Sequence, residues 1–352
     1  MRKNFPDCAF EVLVLKPLIK KNILVLTQGL FWLGYYYWLD FLTGRKRILK
    51  AKRYFYFTPF VFDFLNKKIE QYLSGKKFDF IVQTQGLFDA GKFGVPNFIY
   101  TDHTILFNQF YPDIPSGEYH VCKAWLKNEF EIYEHAQLML VMSENIRWSL
   151  TEQYKIRPER VAVVYIGNNS EIRQENNPLK YGSKNILFVG KDWERKGGPL
   201  LIEAFRKVRT AIPDATLTVI GCSPSVNEPG VIVVGKVPLE QVAGYYNNAS
   251  VFCMPTKREP FGVVFIEAML SYLPVVTSNI GAIPEFIQDG INGYKLNSDA
   301  GLYAMRLIEL LQDSEKCRRF GEAAFQIADK KYRWDNVGRL IASAINSSLT
   351  GK

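Results

Sequence analysis

Short apolar runs without polar alternation recur along the 352-residue chain. They predict strands at 78–84, 97–101, 137–142 and 161–166, and again at 185–190, 215–221, 231–234, 251–255 and 274–278. Such runs suit parallel strands buried on both faces, where no face is left for water. Amphipathic stretches lie between them. Over 198–209, Leu200, Leu201, Ala204, Phe205 and Val208 share one stripe, with Arg206, Lys207 and Arg209 opposite. Further helices are expected at 121–135, 239–247, 263–273, twice within 299–330, and at 334–348, where Val337, Leu340, Ile341 and Ile345 share a side. Alternating strands and helices predict an α/β fold with parallel sheets covered on both faces.

The length exceeds what one hydrophobic core usually serves, so two domains are expected. The polar stretch 171–184, with Pro178 and Gly182 inside it, marks the break. The plan is a first domain over 1–171, a linker over 172–184, a second domain over 185–331 and a terminal helix over 332–352. Hydrophobic content of 47% and charged content of 22% fit a folded globular chain. The five cysteines are scattered and form no C-x-x-C pair, so neither a zinc site nor a disulfide framework is expected and the chain reads as reduced and intracellular. The start shows no secretory signal, with charges on both sides of a short apolar run. Residues 23–42 come nearest to a membrane span. Thr27, Gln28, two glycines, three consecutive tyrosines and Asp40 argue against one.

Net charge is +9, and one stretch carries most of it: residues 43–77 hold ten Lys and Arg against Asp63 and Glu70, a local +8. Aromatics precede and interleave it, among them Phe31, Trp32, Tyr35, Trp38, Tyr54 and Phe60. Three readings of 31–77 stand: a single-stranded nucleic acid track, an interfacial surface on anionic membrane, or core aromatics beneath a solvated basic face.

Four segments carry candidate chemistry. In Glu259-Pro260-Phe261-Gly262-Val263 and onward to Glu267, two carboxylates flank a helix start marked by Pro260 and Gly262. Bare N–H groups at a helix N-terminus suit phosphate, and carboxylates suit sugar hydroxyls because they only accept hydrogen bonds. In 188–198 a strand runs into a basic loop with Lys191, Arg195 and Lys196, then Gly197-Gly198 and a helix. Cations fixed there would stabilise a diphosphate gaining charge. The stretch 279–294 is rich in turns, with Gly281, Pro284, Gly290 and Gly293. In 98–104 a strand ends in Asp102-His103, at the sheet edge where ligands bind in open α/β folds. His135 falls inside a helix and reads as structural.

Together these segments resemble the retaining glycosyltransferases of family 4 (glycosyl transferases group 1). That family carries E-x-F-G-x-x-x-x-E at its donor site, matched by Glu259, Phe261, Gly262 and Glu267. It also carries a Gly-Arg…Lys-Gly loop, matched by Lys191 in the Arg position and by Lys196, and a G-[GA]-x-P-E stretch, matched at 281–285. The resemblance implies a GT-B fold: two Rossmann-like domains with parallel sheets facing across a cleft, the first binding acceptor and the second binding donor, with the terminal helix packing back on the first. It implies a transferase that moves a sugar from a nucleoside-diphosphate sugar to a glycan or lipid-linked acceptor, with retention and without metal or other cofactor. Glu259 would contact the donor sugar, Glu267 the ribose, and Lys191, Arg195, Lys196 and the amides of Gly262 and Val263 the diphosphate. His103 would lie near the reactive centre. It implies a cytoplasmic protein and favours anionic membrane over nucleic acid as the partner of 31–77.

The chain also departs from the family. Lys191 stands where Arg is usual and cannot make a bidentate fork to phosphate, a role Arg195 is placed to take over. The expected opening strand with its Gly-rich loop has no counterpart in 1–26, and Gly29 and Gly34 sit within aromatic sequence. Two alternatives therefore stand beside the transferase: a catalytically silent or truncated relative that binds nucleotide sugar or glycan, and a sugar-nucleotide epimerase.

Overall fold

The computed structural model describes residues 2–15, 17, 23–42, 55–112, 114, 121–170 and 177–351. The chain divides into two compact units. The first comprises Met1–Phe110, Ile114–Val164 and Gly338–Lys352; the second comprises Tyr111–Asp113 and Tyr165–Val337.

The first unit holds four parallel strands in the order β1 (Ile81–Thr84), β2 (Asn97–Thr101), β3 (Leu138–Val141), β4 (Val161–Val163). β2 and β3 are buried at every residue: Leu138–Val141 is apolar throughout, and β2 has apolar Phe98, Ile99 and Tyr100 between buried Asn97 and Thr101. Its helices are α1 (Ile23–Leu42), α2 (Pro59–Leu73), α3 (Lys123–His135) and the short α4 (Glu144–Trp148), which runs on into a π-helical turn at Ser149–Gln153. Pro59 opens α2, where its missing N–H costs nothing. Val61, Phe62, Leu65 and Ile69 turn inward from it.

α1 packs through Gly29, Leu33 and Tyr37, four residues apart. A Cβ at Gly29 would lie 1.8 Å from the Phe55 ring, and Tyr37 donates its hydroxyl to the Phe57 carbonyl at 2.5 Å. Among the described residues no helix is long and apolar enough to cross a membrane.

The second unit holds six parallel strands: β5 (Asn185–Val189), β6 (Thr216–Ile220), β7 (Val231–Gly235), β8 (Val251–Met254), β9 (Val275–Ser278) and β10 (Gly293–Leu296). Their order across the sheet is β10-β9-β8-β5-β6-β7. Counted within the unit this is the dinucleotide-fold order 3-2-1-4-5-6, read from the far edge. The helices are α5 (Gly198–Ala211), α6 (Leu239–Asn248), α7 (Val263–Leu270), α8 (Ala300–Gln312) and α9 (Ser314–Lys331). α10 (Trp334–Thr350) begins in the second unit and ends in the first, where Gln137 donates to the Ser348 hydroxyl at 3.2 Å.

Three details differ from the sequence expectations. The units part at Val164–Tyr165, and the part of the polar stretch that is described is no free tether. Its residues Pro178–Gly182 form a 3-10 turn that buries Lys180 and Tyr181. The Lys180 ammonium donates to the Ser271 carbonyl, and Tyr181 donates to the Tyr272 carbonyl at 2.9 Å. Residues 171–176 lie outside the described set. On α10, Leu340 is exposed while Val337, Ile341 and Ile345 are buried, because the stripe follows a spacing of four. β10 adds a strand at the sheet edge that the pattern did not predict.

Candidate functional site

Ligands of open parallel sheets bind beyond the carboxyl ends of the strands, where the strand order reverses. In the second unit that point lies between β5 and β8. The loop leaving β5 carries Lys191, Arg195 and Lys196; the loop leaving β8 carries Glu259 and opens α7.

The two loops are tied together. Lys257 donates its amide to the Arg195 carbonyl at 2.9 Å, and Arg195 Nη1 donates to the Arg258 carbonyl at 2.6 Å. Thr256 Oγ1 donates to the same Arg258 carbonyl at 3.1 Å. Gly197 makes the approach possible: its φ is +77°, and a Cβ there would fall 1.8 Å from the Pro255 carbonyl oxygen.

Lys196 Nζ and Glu259 Oε2 form an ion pair between the loops, both side chains about nine-tenths buried. Burial pushes the Lys196 ammonium below its usual range, and the Glu259 carboxylate opposes that shift. Arg195 is turned toward Asp192 and the Arg258 carbonyl, so it braces the loop. Lys191 is exposed on the same loop.

Gly262 takes the left-handed conformation, φ 96°, directly before Val263, the first residue of α7. The first turn of a helix leaves N–H groups without intrahelical partners, with partial positive charge. The stretch 279–294 folds onto this corner. Ala282 donates its amide to the Pro260 carbonyl at 3.2 Å, and Gly281 lies so near that a Cβ would sit 1.9 Å from the Glu259 carbonyl oxygen. Asn292 braces the stretch, donating to Phe286 O at 2.8 Å and accepting from Gln288 N at 2.7 Å.

Glu267 is buried and already engaged. Oε1 accepts the amides of Asn169 at 3.1 Å and Ser170 at 3.0 Å, and Oε2 lies 3.2 Å from the Tyr246 hydroxyl. Of roughly four acceptor positions on a carboxylate, three face protein donors. Burial, and then the Glu267 charge, push the Tyr246 phenol well up. No pattern in the sequence linked Asn169, Ser170 or Tyr246 to this carboxylate, since they approach it from distant segments.

His103 belongs to the first unit, two residues beyond β2, and is half-buried. Its amide donates to Thr101 Oγ1 at 3.2 Å, and that hydroxyl donates to the His103 carbonyl at 2.8 Å. His135 Nδ1 lies 2.7 Å from the buried Asp89 carboxylate at the end of α3. The second unit thus brings together Lys196, Arg195, Glu259, Gly262 and Val263, with Glu267 one helix face away.

An open depression of about 610 Å³ in the first unit, lined by Glu134, Arg157, Arg160 and Ser347 among others, contains none of the candidate residues. Among the described residues no three His, Cys, Asp or Glu gather as a metal-ligand set.

Residues 183–313 match the family model described as glycosyl transferases group 1. Over 237 residues the chain is 27% identical to a D-inositol 3-phosphate glycosyltransferase of Corynebacterium aurimucosum, covering 58% of this chain and 56% of that protein. The matched part spans about half to three-fifths of the curated relatives' length. Among solved structures, sucrose-phosphate synthase of Thermosynechococcus elongatus is similar with a TM-score of 0.68 and 20% identity, covering 83% of this chain and 79% of that one. HepE of Anabaena, solved with UDP and glucose, is similar with a TM-score of 0.61 and 17% identity, covering 82% of each chain. The tied loops at the switch point of the second unit fall inside the segment that matches glycosyl transferases group 1, and the chain has the two-unit α/β GT-B fold of these solved structures.

Proposed function

We propose that this protein transfers a sugar from a nucleoside-diphosphate sugar to a hydroxyl acceptor, with retention of configuration and without metal. The observation that carries the reading is the buried Lys196–Glu259 pair at the switch point, beside the N-terminus of α7. The diphosphate is assigned to Lys196 and the amides at Gly262 and Val263, with Lys191 and Arg195 on the same loop. Glu259 is assigned to the donor sugar's hydroxyls. Glu267 holds the 169–170 backbone and offers its remaining acceptor position to the ribose.

The carbon–oxygen bond to the diphosphate breaks, and its electron pair stays on the phosphate oxygen. Lys196 and the helix N-terminus stabilise that growing charge more than they stabilise the ground state. The acceptor hydroxyl forms the new bond from the same face and passes its proton to the departing diphosphate oxygen. His103 and the acceptor are assigned to the first unit. A nucleoside diphosphate as the donor's leaving part is supported by the UDP bound to HepE.

The test is consumption of UDP-, GDP- and ADP-sugars with and without EDTA, with the product anomer read by NMR. Transfer unaffected by EDTA and giving the donor's anomer is expected. His103→Ala should lower turnover, and Glu267→Ala should weaken nucleotide binding. Binding without turnover would favour the silent relative. An isomerised sugar nucleotide without acceptor would favour the epimerase.

A second proposal concerns α1. Phe31, Tyr35, Trp38 and Leu42 form a stripe spaced by four, three and four residues, all more than half exposed. They precede the basic run of 43–77, of which 43–54 lies outside the described residues. Aromatic side chains beside Lys and Arg suit the interface of an anionic membrane. A lipid-linked acceptor on the cytoplasmic face of a membrane fits this contact.

A further inference from the structure

The loop that follows β2 and carries His103 is held at each of its next residues. Thr104 Oγ1 lies 2.6 Å from Ser149 Oγ, Leu106 N donates to the Tyr154 hydroxyl at 3.1 Å, and Gln153 Nε2 donates to Leu106 O at 3.3 Å. Ile105 N points to Glu129 Oε1 at 3.4 Å. Glu129 also accepts the Tyr133 hydroxyl at 3.0 Å and the Tyr154 hydroxyl. One buried carboxylate on α3 therefore joins the loop to the π-helical turn through Tyr154, which touches both.

No ion pair to Glu129 is present among the described residues, and Glu129 is only 5% exposed. Taking a charge out of water without a cation is costly. A leucine of similar size would avoid that cost and would fit the apolar face shared with Trp125, Ile132 and Tyr133. It could not accept the Ile105 amide or orient the Tyr154 hydroxyl that receives Leu106. The carboxylate is thus placed where its acceptors are needed by the loop.

We propose that Glu129, acting with Tyr154, is a positioning residue for the His103 loop, fixing the backbone of Ile105 and Leu106 and thereby the reach of His103. The inference rests on the assignment of His103 to the reaction. Burial pushes the Glu129 carboxyl up to about 7, with the hydrogen bonds from Tyr154, Tyr133 and Ile105 opposing. The titratable groups facing it are Tyr133 on its own helix and Tyr154 on the turn; Asp102 acts on Tyr133 from the loop side. Protonation converts an acceptor oxygen into a donor. The Tyr154 hydroxyl, already receiving Leu106, must then turn around.

The experiment compares wild type, Glu129→Leu, Glu129→Gln and Tyr154→Phe as full-length chains, by hydrogen exchange without ligand and by UDP release from UDP-glucose. Glu129→Leu is expected to lower protection of the Ile105 and Leu106 amides about tenfold, and to lower kcat about tenfold with the donor KM within twofold. Glu129→Gln keeps one acceptor oxygen. It should recover most of the Ile105 protection and should lack the acid limb near pH 7 that the wild type shows. If Glu129→Leu does not fold, Tyr154→Phe removes the hydroxyl's contacts to both Leu106 and Glu129 and should lower protection at Leu106. Unchanged protection at both amides, or a KM effect without a kcat effect, overturns the proposal. Protection lost as expected in a protein whose wild type releases no UDP supports the anchor and counts against the transferase reading.

Discussion

Two residues show how burial decides which charge matters. Lys196 and Glu259 neutralise one another in a place with little water. Deleting one partner of a buried pair leaves the other charged and desolvated, a loss of about 3–5 kcal/mol. Lys196→Ala should therefore lower the unfolding free energy measured in urea by that order as well as abolish turnover, whereas Lys191→Ala on the exposed part of the loop should leave it within about 0.5 kcal/mol. Equal midpoints for wild type and Lys196→Ala would mean that the pair is not formed in solution. Glu129 gives a pH signature with a defined sign. Its carboxyl binds a proton more tightly folded, at about 7, than its ordinary value of 4.5. The folded state thus holds the extra proton between these values, and stability falls as pH rises through that window, by on the order of 3 kcal/mol. Urea midpoints measured from pH 4.5 to 8 should lose this slope in Glu129→Gln; an unchanged slope would place the titration elsewhere.

At the scale of elements, the strands were legible because a parallel strand covered on both faces is mainly apolar, without regular polar alternation. β2 matches its expected bounds, and β5, β6, β8 and β9 differ by a residue or two at their ends. β10 was hidden because Gly293-Tyr294-Lys295-Leu296 alternates, with Lys295 reaching back to Ile287 O, and begins inside a turn-rich motif. The 178–182 turn was hidden by its polar letters: Lys180 reads as solvated, yet its ammonium is capped by a carbonyl and its stem is covered. The loops with Lys196 and Glu259 were legible as motifs, while the donors on Glu267 and the Glu129 network depend on contacts between distant segments. α1 could be read only in part. Sequence showed its aromatics, but only the fold separates Leu33 and Tyr37, which pack inward, from Phe31, Tyr35, Trp38 and Leu42, which face out. Anionic vesicles should sediment the protein at low salt and release it at high salt. Replacing Phe31 and Trp38 with Ser should cut the bound fraction several-fold, because each large aromatic lost from the interface removes a sizeable buried area. Recovery in the supernatant irrespective of vesicles would end the membrane reading, and binding to single-stranded RNA with the same salt response would favour the nucleic-acid one.

At the scale of the whole molecule, the assignment makes the two units unequal toward nucleotide. All the groups assigned to the diphosphate and ribose belong to Tyr165–Val337, and none of them to the β1–β4 sheet. A ligand that binds only the folded form adds RT ln(1 + [L]/Kd), about 2.7 kcal/mol at a hundred times its dissociation constant. That increment should appear first where the contacts are. Saturating UDP is therefore expected to slow hydrogen exchange in the loops after β5 and β8 and in the first turn of α7. Amides of β1 to β4 should exchange as before, because a nucleotide without its acceptor makes no assigned contact there. A sugar nucleotide should deepen the protection around Glu259 and extend it to the 279–284 turn, which Gly281 lets lie against the Glu259 backbone. The comparison of UDP, GDP and ADP in this format identifies the base by which one protects at the lowest concentration. Protection that appears in β1 to β4 alone would relocate the nucleotide to the first unit and overturn the division of labour between the two halves. Protection confined to the second unit would leave His103 and its anchor as the place to look for the acceptor.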